Sequence, residues 1–110
     1  EEFGEYDPAL FIHKKMKTNE ETSLEVLPAI RNLIATTEPY DHDTLHDAFM
    51  KLAADMQLKN GQILWPARVA LTGIDVTPGG AIEMADILGR KESLRRIDFS
   101  IDLLKKALGK

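Results

Sequence analysis

The sequence predicts an all-α fold, a compact multi-helix orthogonal bundle forming a single domain over residues 1–110. Three observations carry that expectation. Apolar residues recur at spacings of three and four over most of the chain. Proline and glycine cut it into segments of helical length. Strict alternation of apolar and polar residues never persists beyond three or four positions, so strand signals are missing. At 110 residues, 44% hydrophobic and 29% charged, the chain has material for one real core.

Each element has a local reason. Asp7 before Pro8 opens a short helix, since the carboxylate can cap and proline suits the first helical position. That helix carries Leu10 and Phe11 and ends near Met16. Thr18 to Glu21 is polar and reads as a loop. Thr22 or Ser23 caps a second helix with Leu24, Leu27, Ile30, Leu33 and Ile34 on one side. Pro28 bends that helix or delays its start. Thr36 to Tyr40, with Pro39, is a turn. Asp43 or Thr44 caps the third helix, whose stripe is Leu45, Phe49, Leu52, Ala53 and Met56. Gly61 supplies a left-handed stop. A fourth helix runs from Trp65 or Pro66 to Thr72 and ends at Gly73. After Thr77-Pro78-Gly79-Gly80, a fifth covers Ala81 to Leu88 and ends at Gly89. The last buries Leu94, Ile97, Ile101, Leu104 and Leu108. Residues 1–21 are expected to connect to something upstream, and residues 61–108 bear the motifs described below.

Composition excludes several classes. Without cysteine there is no disulfide scaffold, thiol nucleophile or cysteine zinc site. No apolar run approaches the roughly 18 residues of a membrane span, and no signal-peptide pattern is present. The net charge of −4 argues against indiscriminate polyanion binding, though not against a local basic patch. Starting at Glu1 fits a processed chain or a piece of a longer protein.

Three segments invite chemistry. In Asp41-His42-Asp43-Thr44-Leu45-His46-Asp47, two histidines four apart would face one way on a helix, as metal ligands do. The same residues also read as an acidic first turn complementing the helix dipole. No further ligands are evident on another element, so no metal site is assigned. His13-Lys14-Lys15-Met16-Lys17-Thr18 faintly resembles the Lys-Met-Ser-Lys-Ser loop of class I aminoacyl-tRNA synthetases. Its serine is missing and no His-Ile-Gly-His sequence precedes it, so it reads as the basic end of a helix. No catalytic residue is assigned anywhere in the chain.

Gly61 to Gly89 differs in quality. Arg68 sits on a helix whose other side holds Ile63, Ala67, Ala70 and Leu71. A guanidinium on a rigid helix can donate paired hydrogen bonds to a base edge or a phosphate. Gly79 and Gly80 precede a helix start, where free backbone N–H groups favour acceptors, and Thr77 adds a hydroxyl. On chemistry alone, a stably packed helix-turn-helix with a solvated Arg68 is the competing reading.

The segment resembles the C-terminal anticodon-binding domain of bacterial glutamyl-tRNA synthetases. The residues that carry the resemblance are Trp65-Pro66-Ala67-Arg68-Val69-Ala70-Leu71-Thr72-Gly73, Thr77-Pro78-Gly79 and Ile87-Leu88-Gly89-Arg90-Lys91-Glu92, then Ser93-Leu94-Arg95-Arg96-Ile97. The family pattern is Pro-x-Arg-x-Ala-Leu-Thr-Gly, Pro-Gly, Leu-Gly-Lys-Glu and a leucine-arginine helix. The resemblance implies a tRNA(Glu) anticodon-loop recognition domain within a cytoplasmic glutamate–tRNA ligase. Arg68 would contact an anticodon base, and Thr77, Pro78 and Gly80 would line the pocket for its neighbours. Arg90, Lys91, Arg95 and Arg96 would supply phosphate contacts. The partners implied are the tRNA and the catalytic and helical domains of the same protein. ATP and magnesium would belong to the catalytic domain, leaving this segment without a cofactor. The family often has leucine directly after Pro-Gly; here Gly80 and Ala81 stand there. That departure implies either looser discrimination at one base or backbone groups in the leucine's place. The alternative is a helical protein-interaction module with an acidic surface and no RNA.

Charge divides unevenly. Residues 1–58 hold 5 Lys+Arg against 12 Asp+Glu, net −7, and residues 59–110 hold 9 against 6, net +3. The positive half carries the motifs, as contact with nucleic acid at one end predicts.

Overall fold

A computed structural model describes residues 6–74 and 79–110. Among them the regular elements are a 3-10 turn, Pro8–Phe11, and four α-helices. The helices are α1 (Glu20–Thr36), α2 (His42–Asp55), α3 (Asn60–Thr72) and α4 (Ala81–Ala107). Packing between α3 and α4 is the most extensive, followed by that between α1 and α4. α4 is therefore the spine of the bundle.

The first helix is shorter than the sequence suggests. Asp7 does cap it, accepting from the Ala9 amide at 2.9 Å, but only one 3-10 turn forms. Residues 13–18 then fold back, with His13 and Thr18 exchanging backbone hydrogen bonds at 3.1 and 3.2 Å. Phe11 is fully buried, and the buried Thr18 hydroxyl donates to its carbonyl at 2.7 Å. The lysines of this stretch therefore lie on a turn rather than at a helix end.

Both of the next two caps lie upstream of the expected residues. Asn19, not Thr22, caps α1: its side chain accepts from the Thr22 amide while the Thr22 hydroxyl accepts from the Asn19 amide, both at 2.9 Å. α1 runs through Pro28, which lies on its exposed face. Asp41, not Asp43, caps α2 by accepting from the Thr44 amide at 2.8 Å. That register buries Leu45, Phe49 and Ala53, leaving Leu52 and Met56 at the edge of the core.

Gly61 is not a stop. Gln57 takes the left-handed conformation after α2 (φ 58°), and α3 has already begun at Asn60. The Gln62 side chain accepts from the Lys59 amide at 2.9 Å, so the turn before Trp65 is capped from within. Gly61 lies directly against Met16, where a Cβ would collide with the sulfur. Gly73 does end α3 in the left-handed region (φ 70°), its amide reaching the Val69 carbonyl at 2.7 Å.

The last two expected helices follow one another without a loop. α4 is interrupted at Gly89 (φ 82°, ψ 166°), a conformation essentially confined to glycine. Space does not dictate that choice, since a Cβ there would touch nothing within 4 Å. The core-facing stripe after the break is Ser93, Ile97, Ser100 and Leu104. Two fully buried serines on it were not expected. Each is satisfied by a backbone carbonyl: Ser93 donates to Ala85 at 3.3 Å and Ser100 to Ala70 at 3.1 Å.

Candidate nucleic-acid interface

The motif residues converge on the last turns of α3 and on α4. Ile63, Ala67, Ala70 and Leu71 are fully buried, so the opposite side of α3 turns Arg68 outward, partly accessible. The Thr72 hydroxyl donates to the Arg68 carbonyl at 2.7 Å and tightens the turn beneath it. The guanidinium carbon of Arg68 stands 5.6 Å from the centre of the Trp65 ring, within cation–π range. Thr77 and Pro78 lie outside the described residues.

Gly80 caps α4 in an extended conformation (φ −81°, ψ −178°) that any residue can adopt. Its amide is not free, as the sequence had suggested. The Glu83 carboxylate folds back and accepts from it at 2.9 Å, while the Gly80 carbonyl accepts from the Met84 amide at 3.0 Å. The other Glu83 oxygen lies 2.8 Å from Nε2 of His42, the first residue of α2. The start of α4 is thus occupied by a carboxylate that is itself held by a histidine. Glu83 stands three residues after the cap, the spacing of a capping box, and that was the overlooked signal.

His42 is thereby engaged by α4. Hydrogen bonding to Glu83 first, then to Asp43, holds His42 above its ordinary 6.5. The bond from His42 holds Glu83 below its ordinary 4.5. His46 lies beside Asp47 instead, 3.5 Å from its carboxylate. Among the described residues, no three His, Cys, Asp or Glu side chains converge as metal ligands would.

The signs of these shifts set a pH window. The contribution of His42 is full below 6.5 and is lost as pH rises through its raised value. That of Glu83 is full above 4.5 and is lost as pH falls through its lowered value. Thermal stability should therefore gain from the pair between these limits. Melting curves of wild type and His42→Gln across pH 4 to 8.5 check this, and the variant should lack the decline on the alkaline side. Both side chains are half-exposed, so the effect is small.

The four cations between positions 90 and 96 of α4 divide into two kinds. Arg90 and Arg96, expected among the phosphate contacts, donate to backbone carbonyls at the ends of other helices. Arg90 donates to the Ile34 carbonyl at 3.1 Å, to the Thr37 carbonyl and to Glu38, and lies 5.0 Å over the Tyr40 ring. It thereby closes the C-terminus of α1. Arg96, only 15% exposed, donates to the Leu71 carbonyl at 2.9 Å and to Glu92 at 2.7 Å, closing the C-terminus of α3. A cation at the negative end of a helix is favourable on both counts. Lys91 and Arg95 are exposed, one turn apart on α4. Arg95 pairs with Glu92 at 2.6 and 2.9 Å. Hydrogen bonds from Arg95 and then Arg96 bring Glu92 down to about 2, so this carboxylate stays ionised throughout the neutral range.

Comparison with known proteins shows the family and the fold. A family described as the anticodon binding domain matches residues 1–101. The chain is 43% identical over 108 residues to a glutamate–tRNA ligase of Clostridium tetani, covering 98% of this chain and 22% of that protein. It is 45% identical over 108 residues to the corresponding ligase of Clostridium kluyveri, with the same two coverages. The chain thus spans about a fifth of the length of these curated relatives. A solved glutamate tRNA ligase from Elizabethkingia meningosepticum, in complex with its amino acid, shares the fold. There the TM-score is 0.73 at 21% identity, over 91% of this chain and 19% of that one. With the all-α bundle, the outward arginine of α3 and a family match over residues 1–101, this chain belongs to the anticodon binding domain family.

Proposed function

We propose that this chain is the anticodon-loop recognition domain of a glutamate–tRNA ligase and positions tRNA(Glu) for glutamylation carried out elsewhere in a longer protein. The observation that carries the reading is Arg68, held on a rigid helix and turned away from a fully buried apolar face. Loop bases are read by splaying them out, stacking them and bonding their edges. Arg68 donates paired hydrogen bonds to one base edge. The resemblance assigns the neighbouring bases to Thr77 and Pro78, which lie outside the described residues. Gly80 contributes through its lack of a side chain, which lets RNA approach the start of α4, since its backbone groups are already bonded.

Lys91 and Arg95 supply the phosphate contacts, being exposed and one turn apart. Arg90 and Arg96 hold the helices that carry the site. ATP and magnesium serve the catalytic part of the longer protein, with the tRNA as shared substrate. The expected location is the cytoplasm, where translation takes place. Among the described residues, no helix is long and apolar enough to cross a membrane.

The test is binding to an RNA stem-loop bearing the glutamate anticodon. Affinity should fall with salt along a shallow slope, since two phosphate contacts release about two counterions. Lys91→Ala and Arg95→Ala should each flatten that slope by about one unit. Absence of any salt-dependent complex would favour a protein-interaction module instead.

A further inference from the structure

Trp65 is the sole tryptophan, and a hydrogen bond, a ring contact and a cation surround its indole. The indole N–H donates to the Leu10 carbonyl at 2.9 Å, which fixes the rotation of the ring. His13 meets the ring edge-on, with centroids 4.4 Å apart and planes at 66°. His13 is fixed in turn, because its Nδ1 accepts from the Met16 amide at 3.2 Å. Arg68, three residues on and therefore on the same side of α3, stands over this ring at 5.6 Å.

We propose that Trp65, clamped by Leu10 and His13, is a positioning residue for Arg68, so that residues 10–13 help to set the orientation of the base-reading guanidinium. This rests on the reading of Arg68 as an RNA contact. The physical gain is preorganisation. A guanidinium lying on an aromatic face gives up rotational freedom before RNA arrives, while its planar edge keeps the fork geometry that a base edge requires. Trp65 need not touch RNA to do this.

The experiment uses the 110-residue chain and the stem-loop with the glutamate anticodon. Trp65→Ala should weaken binding about threefold, the range of a partly exposed cation–π contact. Trp65→Phe keeps a ring but not the N–H, so it should fall between that variant and wild type. In the Arg68→Ala background, Trp65→Ala should cost nothing more. In the free protein, the Arg68 Nε–H proton should be shifted upfield by the indole ring current and should relax toward its ordinary position in Trp65→Ala. Equal losses from Trp65→Ala in both backgrounds, or an unshifted Arg68 proton in the wild type, would overturn the proposal while leaving Arg68 as an RNA contact. Binding that Arg68→Ala leaves unchanged would overturn the RNA reading and the positioning role together. Circular dichroism of each variant separates these results from loss of fold.

Discussion

Arg90→Ala is expected to lower the free energy of unfolding by about 3 kcal/mol, since each lost hydrogen bond from a charged donor costs about 1.5–3. For a domain of this size that is roughly 10 °C in Tm. The reason is topological. The guanidinium reaches Ile34 in the final turn of α1, Thr37 at its C-cap and Glu38 just beyond. Tyr40, two residues further, lies under the guanidinium and sends its hydroxyl 2.7 Å to the Ala85 carbonyl, back on α4. One side chain therefore ties the connection between α1 and α2 to the spine. Arg90→Lys should recover less than half of the loss, because an ammonium is a point charge and cannot fork across two carbonyls. Thermal and urea unfolding of the three proteins checks this. Equal stability of wild type and Arg90→Ala would mean that the latch contributes nothing.

Gly89→Ala is expected to cost about 2 kcal/mol, from backbone strain alone. The added methyl meets nothing within 4 Å, so crowding cannot be the cause. With φ at 82° and ψ at 166°, an L-residue must either accept the strain or close the break into a continuous helix. Closing it would swing residues 90–107 and carry Arg90 and Ser93 away from their partners on α1 and at Ala85. A D-alanine at position 89, introduced by chemical ligation, adopts the mirror conformation readily. It should therefore keep near wild-type stability, and destabilisation equal to that of the L-variant would point to sterics instead of dihedral strain.

Much of this was legible in the sequence. The stripe of α2, the glycine stop after Thr72 and the break at Gly89 all follow from spacing and from glycine at a helix end. Positions where several residues could do one job were harder to read. Asn19, Thr22 and Ser23 all suit a cap, and reciprocal bonding between the first two decides the matter. Gly61 resembles a stop because a lone glycine often is one, yet Gln62 caps α3 ahead of Trp65. The roles of the cations were hidden for a different reason. Arg90, Lys91, Arg95 and Arg96 look alike in a string. Only the tertiary arrangement distinguishes two that close distant helix ends from two that face solvent. The link from His42 to Glu83 joins residues 41 positions apart, beyond the reach of any local pattern.

The most direct measurement of the central claim compares two stem-loops of identical stem, one bearing the glutamate anticodon and one with its three anticodon bases replaced, each against wild type and Arg68→Ala. Wild type should favour the first RNA, and Arg68→Ala should lose about tenfold in affinity for it, a modest share of the range for a paired arginine–base contact. Affinity for the second RNA should barely change, because phosphate contacts carry no sequence information. Equal affinity of the wild type for both RNAs, or an equal loss on both from Arg68→Ala, would contradict base recognition through Arg68.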